Sequence, residues 1–185
     1  MKIGVISDTH GFLDPGIFDH FIRCDEIWHA GDIGTMRLAD ALESFKPLRA
    51  VHGNIDDKDL HIRYPEDLFF TVEGLSVWIT HIGGAPPRYD PRIKKILNTK
   101  APDIFICGHS HTLRIGRDPG YSGMLYINPG AAGNQGFHPV KTLVRFEILN
   151  KEIKNMDVVE MGKRGIISDQ TISDQTISDQ TISDQ

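Results

Sequence analysis

Residues 2–11 read KIGVISDTHG. The apolar run from Lys2 to Ser7 has the length of one strand, and it breaks into Asp8, Thr9, His10 and Gly11. Apolar runs of this length bounded by turn residues are buried strands. A strand ending in Asp and His beside glycine presents polar side chains at its C-terminal edge, where open α/β sheets bind ligands. The arrangement recurs. Glu26–His29 reads as a second strand and leads into Gly31-Asp32-Ile33-Gly34; Leu48–His52 reads as a third and leads into Gly53-Asn54-Ile55-Asp56. Asp14-Pro15 has the form of an N-cap followed by a proline at the first helical position, which predicts a helix to about Arg23. Thr35 is placed to cap a helix over Met36–Phe45, with Leu38, Ala41, Leu42 and Phe45 on one face. Strand, helix, strand, helix, strand predicts parallel pairing with right-handed crossovers.

The pattern then changes. Asp67–Val72 and Leu75–Thr80 are β-rich runs separated by Glu73-Gly74, a hairpin signal. Asp90-Pro91 opens a helix to about Asn98. Further strands are predicted over Asp103–Cys107, Leu113–Arg117, Met124–Ile127, Thr142–Ile148 and Glu152–Val159, with turns at Pro119-Gly120 and Asn150-Lys151. The mixture predicts an α/β fold in which two sheets form a β-sandwich flanked by helices.

The chain has 185 residues, a net charge of −5, 39% hydrophobic and 24% charged residues, enough apolar content for one sizeable core. No apolar run reaches the roughly 18 residues of a membrane span, and the stretch after Met1-Lys2 is too short for a signal peptide. Two cysteines, Cys24 and Cys107, make no disulfide framework, so a reducing cytoplasm is the expected compartment. The absence of a basic surplus argues against bulk nucleic-acid binding. Residues 167–185 repeat ISDQT at period five, which gives neither a helix nor a strand an apolar face. The expected organisation is a domain over residues 1–160 and a low-complexity tail over residues 161–185.

Five predicted strand ends carry Asp, Asn or His: Asp8 and His10, Asp32, Asn54, His81, and His109 with His111. The donors are all nitrogen or oxygen, which suits Mn²⁺, Fe or Zn²⁺ rather than a soft thiolate site. Seven donors exceed the needs of one transition metal and match two ions that share a carboxylate. Two ions about 3.5–4 Å apart form the clamp used in phosphoryl hydrolysis.

The ordered set D-x-H, G-D-x-G, G-N-x-D, a lone His and G-H-x-H resembles the calcineurin-like metallophosphoesterases, in particular their small prokaryotic phosphodiesterase branch. The resemblance runs from Lys2 to about Val159. It implies that Asp8, His10 and His111 hold one metal, that Asn54, His81 and His109 hold the other, and that Asp32 bridges them. It implies hydrolysis of a small phosphodiester by a hydroxide bridging two divalent ions, Mn²⁺ foremost, with Zn²⁺, Fe or Ni²⁺ as alternatives. Asn54 would also steady a phosphoryl oxygen. The sequence departs from the larger relatives at Ile55, where they place the histidine proposed to protonate the leaving group. The retromer scaffold subunit resembles the same branch, so a non-catalytic protein-binding platform is the alternative reading. Its departures lie in the metal ligands, which are all kept here.

Of the remaining residues, Asp56 is expected to orient the ligands. Arg88, in the loop after His81, is a candidate phosphate contact, because a guanidinium fork matches phosphate oxygens. His20, His29, His52 and His61 read as surface or hydrogen-bonded core residues. His138 follows Asn128-Pro129-Gly130, which reads as a turn packed beneath the site. A homo-oligomer is compatible with the sequence, and a membrane partner is not expected.

Overall fold

The first strand, β1 (Lys2–Ile6), is buried on both faces. Ile3 and Val5 face one apolar cluster and Ile6 faces another, as the two-residue period of a strand requires. That double burial explains why the run is almost continuously apolar. In the computed structural model, which describes residues 1–165, β1 sits at the centre of a five-stranded sheet. β2 (Glu26–His29) and β3 (Leu48–Ala50) continue from it in parallel. β11 (Val140–Leu149) and β12 (Glu152–Lys163) flank it antiparallel on the other side.

A second five-stranded sheet has the order β4, β5, β8, β10, β9. Its strands are β4 (Asp67–Val72), β5 (Leu75–Thr80), β8 (Ile104–Ile106), β9 (Leu113–Asp118) and β10 (Met124–Pro129). β5, β8 and β10 run parallel. The short pair β6 (Gly84–Ala85) and β7 (Arg88–Tyr89) makes a separate ribbon. Ile3, Val5, Trp28, Val144 and Phe146 of the first sheet pack on Val77, Ile79, Ile104, Ile106 and Ile127 of the second. Each such side chain, fully buried, contributes about 1.5–3 kcal/mol. α1 (Gly16–Phe21), α2 (Met36–Phe45) and α3 (Lys58–Arg63) cover the outer face of the first sheet, and α4 (Pro91–Thr99) covers that of the second. The layers are therefore helix, sheet, sheet, helix, as the sequence predicts. Among the described residues, no helix is long and apolar enough to cross a membrane.

Several local expectations change. α1 begins at Gly16 and lacks a side-chain cap. The Asp14 carboxylate accepts from the Gly16 N–H and forms a buried ion pair with Lys141 of β11, so it serves tertiary structure instead. α3 has no counterpart in the sequence reading. Asp57 caps it by accepting from Leu60 N–H at 3.0 Å, but only Leu60 is buried, so no apolar period marks it. β3 stops at Ala50 because the His52 N–H turns away to Pro65 O, 3.1 Å distant. β11 and β12 are longer than predicted, pairing out to Val140 and Lys163 through two register shifts that interrupt the alternation. The ISDQT repeat lies outside the described residues.

Candidate metal centre

Parallel strands place their C-terminal ends on one edge, and loops leaving that edge carry all seven candidate ligands. Asp8 and His10 follow β1, Asp32 follows β2, Asn54 follows β3, His81 follows β5, and His109 and His111 follow β8. Side chains far apart in sequence meet there. Asp8, His10, Asp32 and His111 each place one ligand atom within 4.8 Å of the others. The Nε2 atoms of His10 and His111 are 3.2 Å apart. His111 Nε2 also lies 3.2 Å from Asp8 Oδ1, and His10 Nε2 lies 3.6 Å from Asp32 Oδ2.

A second group adjoins the first. His81 Nε2 lies 3.1 Å from Asn54 Oδ1 and 3.2 Å from Asp32 Oδ1. His109 packs edge-on against His81, with ring centroids 5.2 Å apart. Asp32 thus turns one oxygen to each group.

The local backbone explains how residues two apart can converge. Asp8, His10, Asp32, His109 and His111 have φ between +49° and +67°. This left-handed region is uncommon for residues other than glycine, and each such residue costs of order 1–3 kcal/mol unless its surroundings impose it. Here a turn at each of these five residues lets side chains two apart reach the same centre. The surroundings that hold the turns are hydrogen bonds from the loops themselves. His109 N–H donates to both Asp8 carboxylate oxygens at 3.2 Å, and Ile55 N–H donates to Asp32 Oδ1 at 3.1 Å. Asp56 is buried and accepts from Gly34 N–H at 2.6 Å and Gly53 N–H at 2.8 Å, tying the Asp32 loop to the Asn54 loop. Gly53 has no substitute: a Cβ there would fall 2.0 Å from Asp32 Oδ1. Asn128 Nδ2 donates to Gly108 O and Ser110 Oγ, so the Asn128-Pro129-Gly130 turn props the histidine loop.

His29 has a larger part in this scaffold than its sequence context suggests. It is fully buried. Gly31 N–H donates to its Nδ1, so its Nε2 carries the proton and donates to Thr9 Oγ1 at 2.9 Å. Thr9 in turn donates to Ile33 O at 3.0 Å. The chain of bonds joins the loop holding Asp8 and His10 to the loop holding Asp32. Burial pushes the His29 pKa down to about 4, with Asp56 and Asp8 pulling the other way.

The electrostatics are those of a cation site. Burial disfavours a charged His10 and holds its pKa below the ordinary value, against the pull of Asp32 and Asp8. Burial also opposes charge on His81, but its hydrogen bond to Asp32 and the charge of Asp8 raise its pKa above the ordinary value. Burial works against the Asp32 anion, yet His81 and the Ile55 N–H hold it below its usual range. Imidazole nitrogens and carboxylate oxygens directed at shared points, with hydrogen-bonded backs, fit divalent ions that accept both donor types. His81 shows the pattern, with Nδ1 bonded to Ala30 O at 2.8 Å and Nε2 facing the ligands.

Other candidates lie apart. Arg88 is exposed on β7, and its side chain makes no hydrogen bond or ion pair among the described residues. A different arginine, Arg92, lines a groove of about 150 Å³ beside Asn54 and His81, with His52, His61, Glu66 and Thr80. His52 and His61 stack there with centroids 3.7 Å apart. Sequence reading missed this groove because α3, which carries His61, gave no signal. His138 is at the rim, 3.2 Å from Thr112 Oγ1.

A probable metallophosphoesterase of Methanothermobacter thermautotrophicus is 33% identical over 137 residues, covering 71% of this chain and 77% of that one. A solved archaeal phosphodiesterase superposes with a TM-score of 0.68 at 21% identity, covering 86% of this chain and all of that one. Vps29 of Entamoeba histolytica, solved with Zn²⁺, superposes with a TM-score of 0.61 at 19% identity over 86% of this chain and 99% of that one. The family model of the calcineurin-like phosphoesterase superfamily domain matches residues 1–151, which carry every strand-end ligand described above, and this chain belongs to that superfamily.

Proposed function

We propose that this protein is a dinuclear metal-dependent phosphodiesterase acting on small phosphodiesters, with Mn²⁺ as the preferred ion. The observation that carries the reading is the placement of Asp32. Its Oδ2 faces His10 and its Oδ1 faces His81, each at the edge of a separate ligand group. Asp8, His10 and His111 would hold one ion, Asn54, His81 and His109 the other, and Asp32 both. Bound ions would supply a water of lowered pKa and a positive field for the phosphoryl oxygens.

The chain's own residues do the rest. Asn54 turns Oδ1 to His81, which leaves Nδ2 to hold a phosphoryl oxygen. Asp56 fixes the two loops on which Asn54 and Asp32 ride. Arg88 is free to meet substrate beyond the ribbon. The groove beside Asn54 suits a small leaving group and not a long polymer, in keeping with the absence of a basic surplus. Both cysteines are unpaired and buried, which supports work in a reducing compartment, the cytoplasm. All seven donors are present, so the non-catalytic platform has no positive support here, although the fold is shared with Vps29.

The test strips metal with a chelator and restores defined ions. Hydrolysis of bis(p-nitrophenyl) phosphate should return with Mn²⁺. A panel of cyclic nucleotides, dinucleotides and glycerophosphodiesters then ranks substrates. Failure to hydrolyse any diester with two ions bound per chain overturns the reading.

A further inference from the structure

The groove of about 150 Å³ shares two of its walls, Asn54 and His81, with the candidate ligand set. Asn54 is exposed, so the groove opens beside a ligand that solvent can reach. Two further lining residues make a surface out of their rings. His52 and His61 stack with centroids 3.7 Å apart and planes 19° from parallel. The ring nitrogens have little part in this. His52 Nδ1 comes only to 3.5 Å from Gly53 O, and the His61 ring makes no hydrogen bond or ion pair among the described residues. His52 is half-buried and His61 is exposed. Since the inner face of His61 lies on His52, what it shows to solvent is its outer face and edge.

The backbone holds both rings in place. The His52 N–H donates to Pro65 O at 3.1 Å, which fixes the lower ring. The upper ring rides on α3, which Asp57 caps and which buries only Leu60. Apolar burial gives that short helix little anchorage, and its clearest product is the placement of His61 over His52. The charged side chain deeper in the groove is already engaged. Arg92 gives its guanidinium to Asp67, Glu66 and Thr80, so it is not free to draw a phosphate away from the ligand cluster. Ile82, 39% exposed, adds hydrocarbon to the wall. The groove therefore offers ring faces and apolar surface next to a centre built for cations and the anions they bind. An ester with its phosphoryl group at that centre and a flat ring on one alcohol complements both parts.

We infer that the His52–His61 stack is a specificity platform, with His61 as its outer plate, for a flat heteroaromatic ring carried on one alcohol of the diester. This rests on the phosphodiesterase reading and narrows it to diesters that bear a nucleobase or a ring of similar size. Histidine is among the side chains on which unstacked bases lie, and stacking tolerates any base because every base has a π-face. His61 takes no part in the bond that breaks. It holds the organic part of the ligand equally in the ground and transition states, so its effect falls on affinity and KM and not on kcat.

The test uses the full chain loaded with Mn²⁺ and two probes, adenosine 5′-monophosphate and ribose 5-phosphate, which share phosphate and sugar and differ in the ring. Isothermal titration calorimetry gives both affinities for wild type, His61→Ala and His61→Phe, with metal content measured on the same samples. Wild type should prefer the adenine-bearing probe by about 5- to 150-fold, the range of one base stacked on one aromatic side chain. His61→Ala should lose most of that preference while ribose 5-phosphate affinity and metal content stay where they were. A merely structural role would move all three together. Alanine is the best helix former, so the exposed position on α3 accepts it. His61→Phe keeps a flat face without ring nitrogens and should keep most of the preference. Equal affinities for the two probes in wild type, or the same preference in wild type and His61→Ala, overturns the platform. A His61→Phe that behaves as His61→Ala overturns it too, because stacking needs only the face. A His61-dependent preference with no diester hydrolysis would sink the phosphodiesterase reading and leave the platform standing. Hydrolysis of bis(p-nitrophenyl) phosphate with no preference for the ring would do the reverse.

Discussion

Asp32 and His81 meet with Oδ1 and Nε2 3.2 Å apart, both side chains only 3% exposed. The pair spans the two sheets, since Asp32 follows β2 and His81 follows β5. Because the other Asp32 oxygen faces His10, one carboxylate couples both halves of the sandwich and both ligand groups. Asp32→Asn keeps the shape and puts an amide nitrogen toward one of the groups. A neutral amide cannot balance two dications. The variant should lose at least one metal equivalent after dialysis and more than about 100-fold in kcat/KM, the upper range for losing a mere orienting residue. Two tightly held ions with unchanged turnover would remove Asp32 from the bridge.

The two ligand groups also predict separable losses. His10 stands with Asp8 and His111, and His81 stands with Asn54 and His109. His10→Ala should deplete one site and His81→Ala the other, each leaving about one ion per chain. Anomalous scattering from crystals of each variant reports which position empties. If both variants empty the same position and keep the same partner, the division of ligands is wrong.

His29 predicts how the metal-free protein responds to acid. Its folded pKa is depressed to about 4, against 6.5 for the ordinary side chain. Between those values the unfolded chain binds a proton that the folded chain refuses. Its contribution to stability is therefore present above pH 6.5 and lost as pH falls toward 4, by up to about 1.4 kcal/mol per pH unit. Urea unfolding with chelator present, at pH 7.5, 6 and 5, measures this. His29→Gln should be less stable than wild type at pH 7.5, and the gap should narrow on acidification. Parallel curves would mean that His29 is not buried neutral.

What the sequence revealed follows from which forces leave a local trace. Two-faced burial of β1 made Lys2–Ser7 nearly all apolar, and the Glu73-Gly74 turn kept the positive φ that such hairpins need, so the sandwich was legible. The candidate ligands were legible because each sits at the end of a readable strand. Asp14 was misread because its carboxylate goes to Lys141 across 127 residues, which no local pattern records. The His29–Thr9 bond and the His52–His61 stack are likewise tertiary. α3 buries one side chain, too few to leave a period.

The last prediction concerns proton supply at Ile55. This side chain is 46% exposed at the mouth of the site, so the position is open and not an apolar pocket. Asp56 does not face it as an orienter, since its two oxygens are taken by the Gly34 and Gly53 N–H groups. A diester's leaving alkoxide needs a proton unless its own pKa is low, and a positioned general acid contributes about 10²–10⁴-fold. With isoleucine here, kcat/KM should depend steeply on leaving-group pKa, aryl esters far exceeding alkyl esters. Ile55→His should then help alkyl esters more than activated aryl diesters. Because the Ile55 N–H already donates to Asp32 Oδ1, the backbone that would carry the imidazole is fixed beside the shared carboxylate. Solvent water is the competing donor, and it would flatten the dependence. A Brønsted plot over a graded ester series, for wild type and variant, separates the two. A shallow wild-type slope would mean that a proton donor exists elsewhere and end the reading of Ile55 as a functional gap.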